Sequence, residues 1–256
     1  MLLFATGTAL LLGACSSAPR ASVPATTSPA ASAAPSAATP TASPTSALTP
    51  APSLGGAVVR YIAIGASDTV GVGASDPATG SWPSRLASLL PAGSTYTNLG
   101  VSGSLASAAR GQQLPRALDA RPTVVTIWLA VNDLNANVPV PSYNESLGGI
   151  VDGLLAGTQA RIFVGSVPDL RAVPAYAQVD QKALAERIDA YNRAIAAVAA
   201  RNAARVRVID LFTGSAELVT NAVVAQDGFH PSDAGYQLIA DRFAGPMRAA
   251  GVPLRG

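Results

Sequence analysis

Apolar positions along this chain fall into two alternating textures. Short runs rich in β-branched residues stop on glycine or polar turns at Val58–Ile64, Thr95–Leu99, Thr123–Leu129, Arg161–Val167 and Val206–Leu211. All five read as strands, and the continuous apolar runs at Val58–Ile64 and Thr123–Leu129 read as buried parallel ones. Between them lie helical patterns. From about Val179 to Asn202, Leu184, Ile188, Tyr191, Ile195 and Val198 recur at spacings of three and four, which predicts a long amphipathic helix. A helix through Leu90 starts near Ser81-Trp82-Pro83-Ser84, a small-residue helix follows Ser104, and Ser232 caps a last one reaching about Ala250. The segments Leu134–Asn144 and Asp169–Gln178 read as turns after the third and fourth strands, placed to frame a pocket. Strands alternating with helices imply parallel pairing, right-handed crossovers and helices on both faces. The expected fold is therefore α/β, with a central, mostly parallel five-stranded sheet.

The first part of the chain has neither texture. Residues 1–14 are apolar and then small, too short to span a bilayer and suited to a signal-peptide core. Leu12-Gly13-Ala14-Cys15 resembles the lipobox of bacterial lipoproteins, in which the cysteine is lipid-modified and begins the mature chain. That resemblance implies a signal peptide over residues 1–15 and an extracytoplasmic domain held to a membrane at Cys15; a plain secretory leader is the alternative. Residues 16–54 are almost only Ala, Ser, Thr and Pro, with Arg20 the one charge. Such a composition cannot bury enough apolar area to offset chain entropy, so a disordered linker is expected. A single folded domain, residues 55–256, remains.

Composition narrows the chemistry. Net charge is +2, Lys182 is the sole lysine, and no basic run of the kind that binds nucleic acid is present. One cysteine and one histidine leave no disulfide framework and no Cys- or His-rich metal site, so no metal or cofactor is expected. The partners expected are a small-molecule or glycan ester substrate and, through Cys15, a membrane; the domain itself is expected to be a monomer.

The first strand stops on Gly65 and delivers Ser67 into a polar turn. In open α/β sheets reacting groups lie just beyond the carboxyl ends of the strands. A serine there is inert until a base takes its proton, and His230 is the only histidine available. Asp227, three residues earlier, is close enough to hold the other ring nitrogen; Asp169, Asp210 and Asp233 are rival carboxylates. The second and third strands end near Gly103 and Asn132.

In that order, Gly65-Ala66-Ser67, Val101-Ser102-Gly103, Asn132-Asp133 and Asp227-Gly228-Phe229-His230-Pro231 resemble the SGNH (GDSL-type) serine hydrolases, from about Arg60 to Ala250. Trp82-Pro83 is also common in that family. The resemblance implies a flavodoxin-like three-layer α/β/α sandwich and cleavage of carboxylic esters with short acyl or acetyl groups. It also implies a Ser67–His230–Asp227 triad, with the Ser67 and Gly103 backbone N–H groups and the Asn132 amide as oxyanion hole. Two positions depart from the pattern. The usual aspartate before the serine is Ala66, with Asp68 after it instead, and the usual glycine two before the asparagine is Ala130. The order Ser…Asp…His also suits an α/β-hydrolase, but no G-x-S-x-G elbow is present. A reading from another class is a non-catalytic envelope lipoprotein that binds glycan or cell-wall partners.

Overall fold

The computed structural model describes residues 58–256. The signal peptide, Cys15, the linker expected over 16–54 and the start of the domain at residue 55 lie outside the described residues. Five strands, β1 (Arg60–Gly65), β2 (Thr95–Asn98), β3 (Val124–Trp128), β4 (Arg161–Gly165) and β5 (Val206–Ile209), form one sheet in the order β2-β1-β3-β4-β5. Every pairing is parallel, with Tyr61 opposite both Tyr96 and Val124. The mostly parallel sheet expected from the pattern is thus wholly parallel, in the flavodoxin-like strand order.

Alternation along the strands sorts the core into two layers, because successive side chains point to opposite faces. Ile62, Ile64, Val125, Ile127, Ile162 and Val164 pack under α4 (Ala106–Asp119), α6 (Val140–Gly157) and α7 (Gln181–Ala200). Tyr61, Ala63, Val124, Trp128 and Phe163 pack under α3 (Trp82–Ser88) and α8 (Asp233–Ala249). On that second face Trp82 stacks on Phe243 at 4.4 Å between ring centroids and meets the edge of Trp128 at 6.1 Å. Three short helices, α1 (Ser67–Val70), α2 (Pro77–Gly80) and α5 (Val131–Asn135), complete the set.

One expected turn is mostly helix. Most of Leu134–Asn144 belongs to the end of α5 and the first turn of α6, with residues 136–139 joining the two helices. Prolines open α6: Pro139 stands at its N-cap and Pro141 in its first turn, where a missing N–H costs nothing.

The strand order reverses direction beside β1, since the chain goes out to β2 and returns across β1 to β3. A crevice at the carboxyl ends of β1 and β3 follows from that crossover. Ser67 follows β1 and Asn132 follows β3, so both stand at that point.

Candidate active site

Gly65 ends β1 because there is no room for a side chain: a Cβ would lie 1.9 Å from Thr69 Oγ1 and 2.8 Å from the Trp128 carbonyl. The next turn opens α1, and Ser67 is its first residue, buried to 7 % exposure. At the other end of the domain, Asp227 to Ser232 form a tight loop before α8. Gly228 takes a left-handed φ of 71°, a conformation that suits glycine. Asp227 Oδ1 accepts the Phe229 and His230 backbone N–H groups at 2.9 and 3.0 Å. Its second oxygen meets His230 Nδ1 at 2.6 Å, and His230 Nε2 lies 3.0 Å from Ser67 Oγ. Ser67 and His230, 163 residues apart, are thus in direct contact.

Two sets of contacts hold this loop in place. On one side Phe229 lies between Tyr176 and His230, with ring centroids at 6.0 and 4.7 Å, and Ala175 N–H donates to the Gly228 carbonyl at 3.0 Å. On the other, Tyr236 Oη donates to the Val72 carbonyl at 2.6 Å. Asp233 accepts the Ser75 N–H at 3.3 Å and pairs with Arg85 at 3.5 Å. The rival carboxylates are therefore occupied elsewhere: Asp233 there, Asp169 by Arg171, and Asp210 by the Phe212 and Thr213 N–H groups. Hydrogen bonds and the neighbouring cations hold Asp169 and Asp233 below the usual carboxylate range. At Asp227 burial pushes upward, but hydrogen bonds from the His230 ring and two backbone N–H groups outweigh it and the carboxyl is lowered.

Gly103 sits in an exposed turn at φ 77°, with no atom within 4 Å of where a Cβ would be. Among the described residues nothing accepts the Ser67 or Gly103 backbone N–H. The Asn132 amide donates to the Ser104 carbonyl at 3.2 Å, which holds it beside the Gly103 turn. Asp133, buried behind Asn132, accepts the Ala106 N–H at 3.0 Å, and burial raises its carboxyl.

Ala130 sits at φ 90°, ψ −43°, close to the strained γ-turn region that L-residues avoid. Glycine would fit that backbone freely, so the cost of the substitution is conformational, beyond any loss of room. Asp68 in turn is half-buried, and desolvation raises its carboxyl to about 6 even though His230 draws it down.

One residue of the site gave no signal in sequence. Gln113, on the buried face of α4, accepts the Gly65 N–H at 3.0 Å and donates to the Gly65 carbonyl at 2.9 Å and to Ser104 Oγ at 3.2 Å. It ties the strand end before Ser67 to the turn after Gly103. A glutamine in a mostly small and polar helix does not stand out by pattern; only its burial does.

Residues 63–238 match the family model described as GDSL-like lipase/acylhydrolase. No curated protein matches the chain. Among solved structures, a psychrotrophic esterase from a Pseudoalteromonas species is 18 % identical, with 74 % of this chain and 97 % of that one covered at a TM-score of 0.59. An acetylxylan esterase from Geobacillus stearothermophilus is 19 % identical over 75 % and 94 %, TM-score 0.59. A family 3 carbohydrate esterase from Clostridium thermocellum is 20 % identical over 76 % and 99 %, TM-score 0.56.

Proposed function

Because the chain belongs to the GDSL-like lipase/acylhydrolase family, and so to the carboxylic ester hydrolases, we propose that Ser67, His230 and Asp227 carry that chemistry here. His230 Nε2 takes the Ser67 proton as Oγ attacks the ester carbonyl. The ring then returns the proton to the leaving alcohol, and an acyl-serine remains. Water repeats the sequence: His230 takes its proton, the hydroxide attacks the acyl carbon, and Ser67 recovers its proton as the acid leaves. Asp227 holds Nδ1 and stabilises the imidazolium at each step. Negative charge collects on the carbonyl oxygen, and the free Ser67 and Gly103 N–H groups with the Asn132 amide are its proposed donors. Preorganised donors of this kind are commonly the largest single contribution, so removing the Asn132 amide is expected to cost about 3–4 kcal/mol of barrier.

The observation that carries this reading is the continuous contact from Asp227 through His230 to Ser67, at 2.6 and 3.0 Å. The substrate class we propose is an ester with a short acyl group, acetyl included, on a small alcohol or a glycan; two of the similar structures are an acetylxylan esterase and a carbohydrate esterase. We also propose that residues 1–15 are a lipoprotein signal peptide, that Cys15 carries the lipid, and that residues 16–54 space the catalytic domain from an extracytoplasmic membrane face. A fluorophosphonate probe followed by peptide mapping tests the chemistry. The label is expected on Ser67 and on no other serine, with p-nitrophenyl acetate turned over by the native protein and not by Ser67→Ala. No labelling and no turnover with any acyl ester would favour a non-catalytic binding protein.

A further inference from the structure

The buried stripe of α4 is Ala106, Ala109, Gln113 and Ala117, so one amide sits in a line of methyl groups. Alanines let the helix lie close to the strand ends, whereas an amide there is costly to bury unless its polar atoms find partners. Gln113 is 1 % exposed and about two turns inside the helix, and helical side chains lean back toward the N-terminus. Its amide brackets Gly65, accepting the N–H at 3.0 Å and donating to the carbonyl at 2.9 Å, and the same nitrogen donates to Ser104 Oγ at 3.2 Å. The turn carrying Gly103 closes on the same place. Val101 N–H donates to the Gly65 carbonyl at 3.2 Å, and Ser104 N–H donates to the Val101 carbonyl at 3.0 Å. The Ser104 carbonyl in turn accepts the Asn132 amide, and Asp133 fixes the start of α4 through the Ala106 N–H.

We infer that Gln113 is a positioning residue for the proposed oxyanion hole: it sets the spacing among the Ser67 N–H, the Gly103 N–H and the Asn132 amide. The inference rests on the hydrolase reading above and deepens it, for Gln113 acts through these donors and touches none of the reacting atoms. Gly65 lies two residues before Ser67, while Ser104 directly follows Gly103 and holds the Asn132 amide. Each proposed donor is thus within two residues, or one hydrogen bond, of a group that Gln113 grips. The donors come from the turns after β1, β2 and β3, and the sheet register by itself leaves those turns to be placed. Donors work only at about 2.7–3.1 Å from where the oxyanion forms, and a misplacement of about 1 Å can cost a hundredfold in rate. Stability alone gives little reason for the amide. Its bonds are made to water in the unfolded chain, so an apolar side chain of the same shape would serve the fold nearly as well. What the amide supplies is a fixed distance between two turns.

The test measures kcat and KM for p-nitrophenyl acetate in the full chain, in Gln113→Met, Ser104→Ala and Asn132→Ala, and in the two double variants with Asn132→Ala. Gln113→Met keeps the length of the side chain and loses all three bonds. It is expected to lower kcat by about tenfold to a hundredfold with KM nearly unchanged, as for interactions made only in the transition state. Ser104→Ala removes one of the three bonds and is expected to lower kcat by about fivefold, the scale of one hydrogen bond. Because Gln113 acts through the donors, both losses are expected to shrink once Asn132 is alanine, whereas a purely structural role would leave them the same. Equal losses in the two backgrounds, a rise in KM with kcat unchanged, or native kcat in a folded Gln113→Met chain would overturn the inference. If Gln113→Met does not fold, Ser104→Ala and its double variant decide by the same criteria. The hydrolase reading is judged separately, by turnover in the native chain and its loss in Asn132→Ala. Those two results keep it standing whatever Gln113 does, and a native chain without turnover removes both.

Discussion

Asp68 is a carboxylate held where a charge is costly. Burial is the largest influence on it, raising it to about 6; His230 offsets part of that and Asp227 adds to it. A carboxyl raised in the folded state binds its proton more tightly there than in the unfolded chain. Its penalty is therefore absent below the unfolded value, grows as pH rises from about 4 to 6, and is constant above. Asp68→Asn is expected to be more stable than the native protein at pH 7 by on the order of 2 kcal/mol, and equally stable near pH 3.5. Urea unfolding at the two pH values checks this, and a variant less stable at neutral pH would count against it. Ala130 carries a different cost. At φ 90° and with its side chain fully buried, Ala130→Gly is expected to gain about 1 kcal/mol by relieving strain, net of the entropy glycine adds to the unfolded chain. A downward shift in the unfolding midpoint would contradict that account.

Helix α6 shows why some elements were legible in sequence and others were not. The buried strands announced themselves, because β-branched runs between turns have few other uses; Thr123–Leu129 and β3 differ by one residue at each end. Helix α7 was equally plain from its apolar stripe. Helix α6 contains Gly148, Gly149, Gly153 and Gly157, and glycine weakens a helical pattern by about 1 kcal/mol per residue relative to alanine. Its reason for being helical lies in another element. Gly149, Gly153 and Gly157, one turn apart, face Arg110, Leu114 and Leu118 of α4 at the same spacing, and a Cβ on Gly153 would come within 2.9 Å of Leu114. Close approach of two helices is a tertiary fact with no local signature. Gln113, on the same α4, was missed for the same reason. By contrast, Ser67 and Asn132 stood out just after β1 and β3, Gly103 in the turn before α4, and Asp227 and His230 in the loop before α8, and the order of these turns carries the pattern. Two glycine substitutions separate packing from propensity. Gly153→Leu is expected to destabilise the domain by about 1–3 kcal/mol through overpacking. Gly245→Ala, on α8 with no atom within 4 Å of the new Cβ, is expected to stabilise it by up to about 1 kcal/mol. Equal effects at the two sites would mean that the groove between α4 and α6 is not tight.

For the whole chain, the question is what holds the domain near its substrate. Among the described residues no helix is long and apolar enough to cross a membrane, and the proposed tether lies in residues 1–15. A single acyl chain gives only marginal, reversible membrane binding, and added acyl chains give a stable hold. The spacer proposed over residues 16–54 would span roughly 35 Å as a random coil and about 120 Å fully extended in polyproline II form. A tether of that reach, as proposed, would hold the domain near the membrane without touching the site, so the chemistry at Ser67 is expected not to sense the lipid. The native protein, expressed in a host that processes lipoproteins, is expected in the detergent phase after Triton X-114 partition, and Cys15→Ser in the aqueous phase. Both should hydrolyse a soluble ester with the same kcat/KM, because the Asp227–His230–Ser67 contact is made by side chains of the described residues and Cys15 is not one of them. A Cys15→Ser chain still retained by membranes would place the hold in the domain itself, and an exposed apolar residue such as Leu218 would be the next to change.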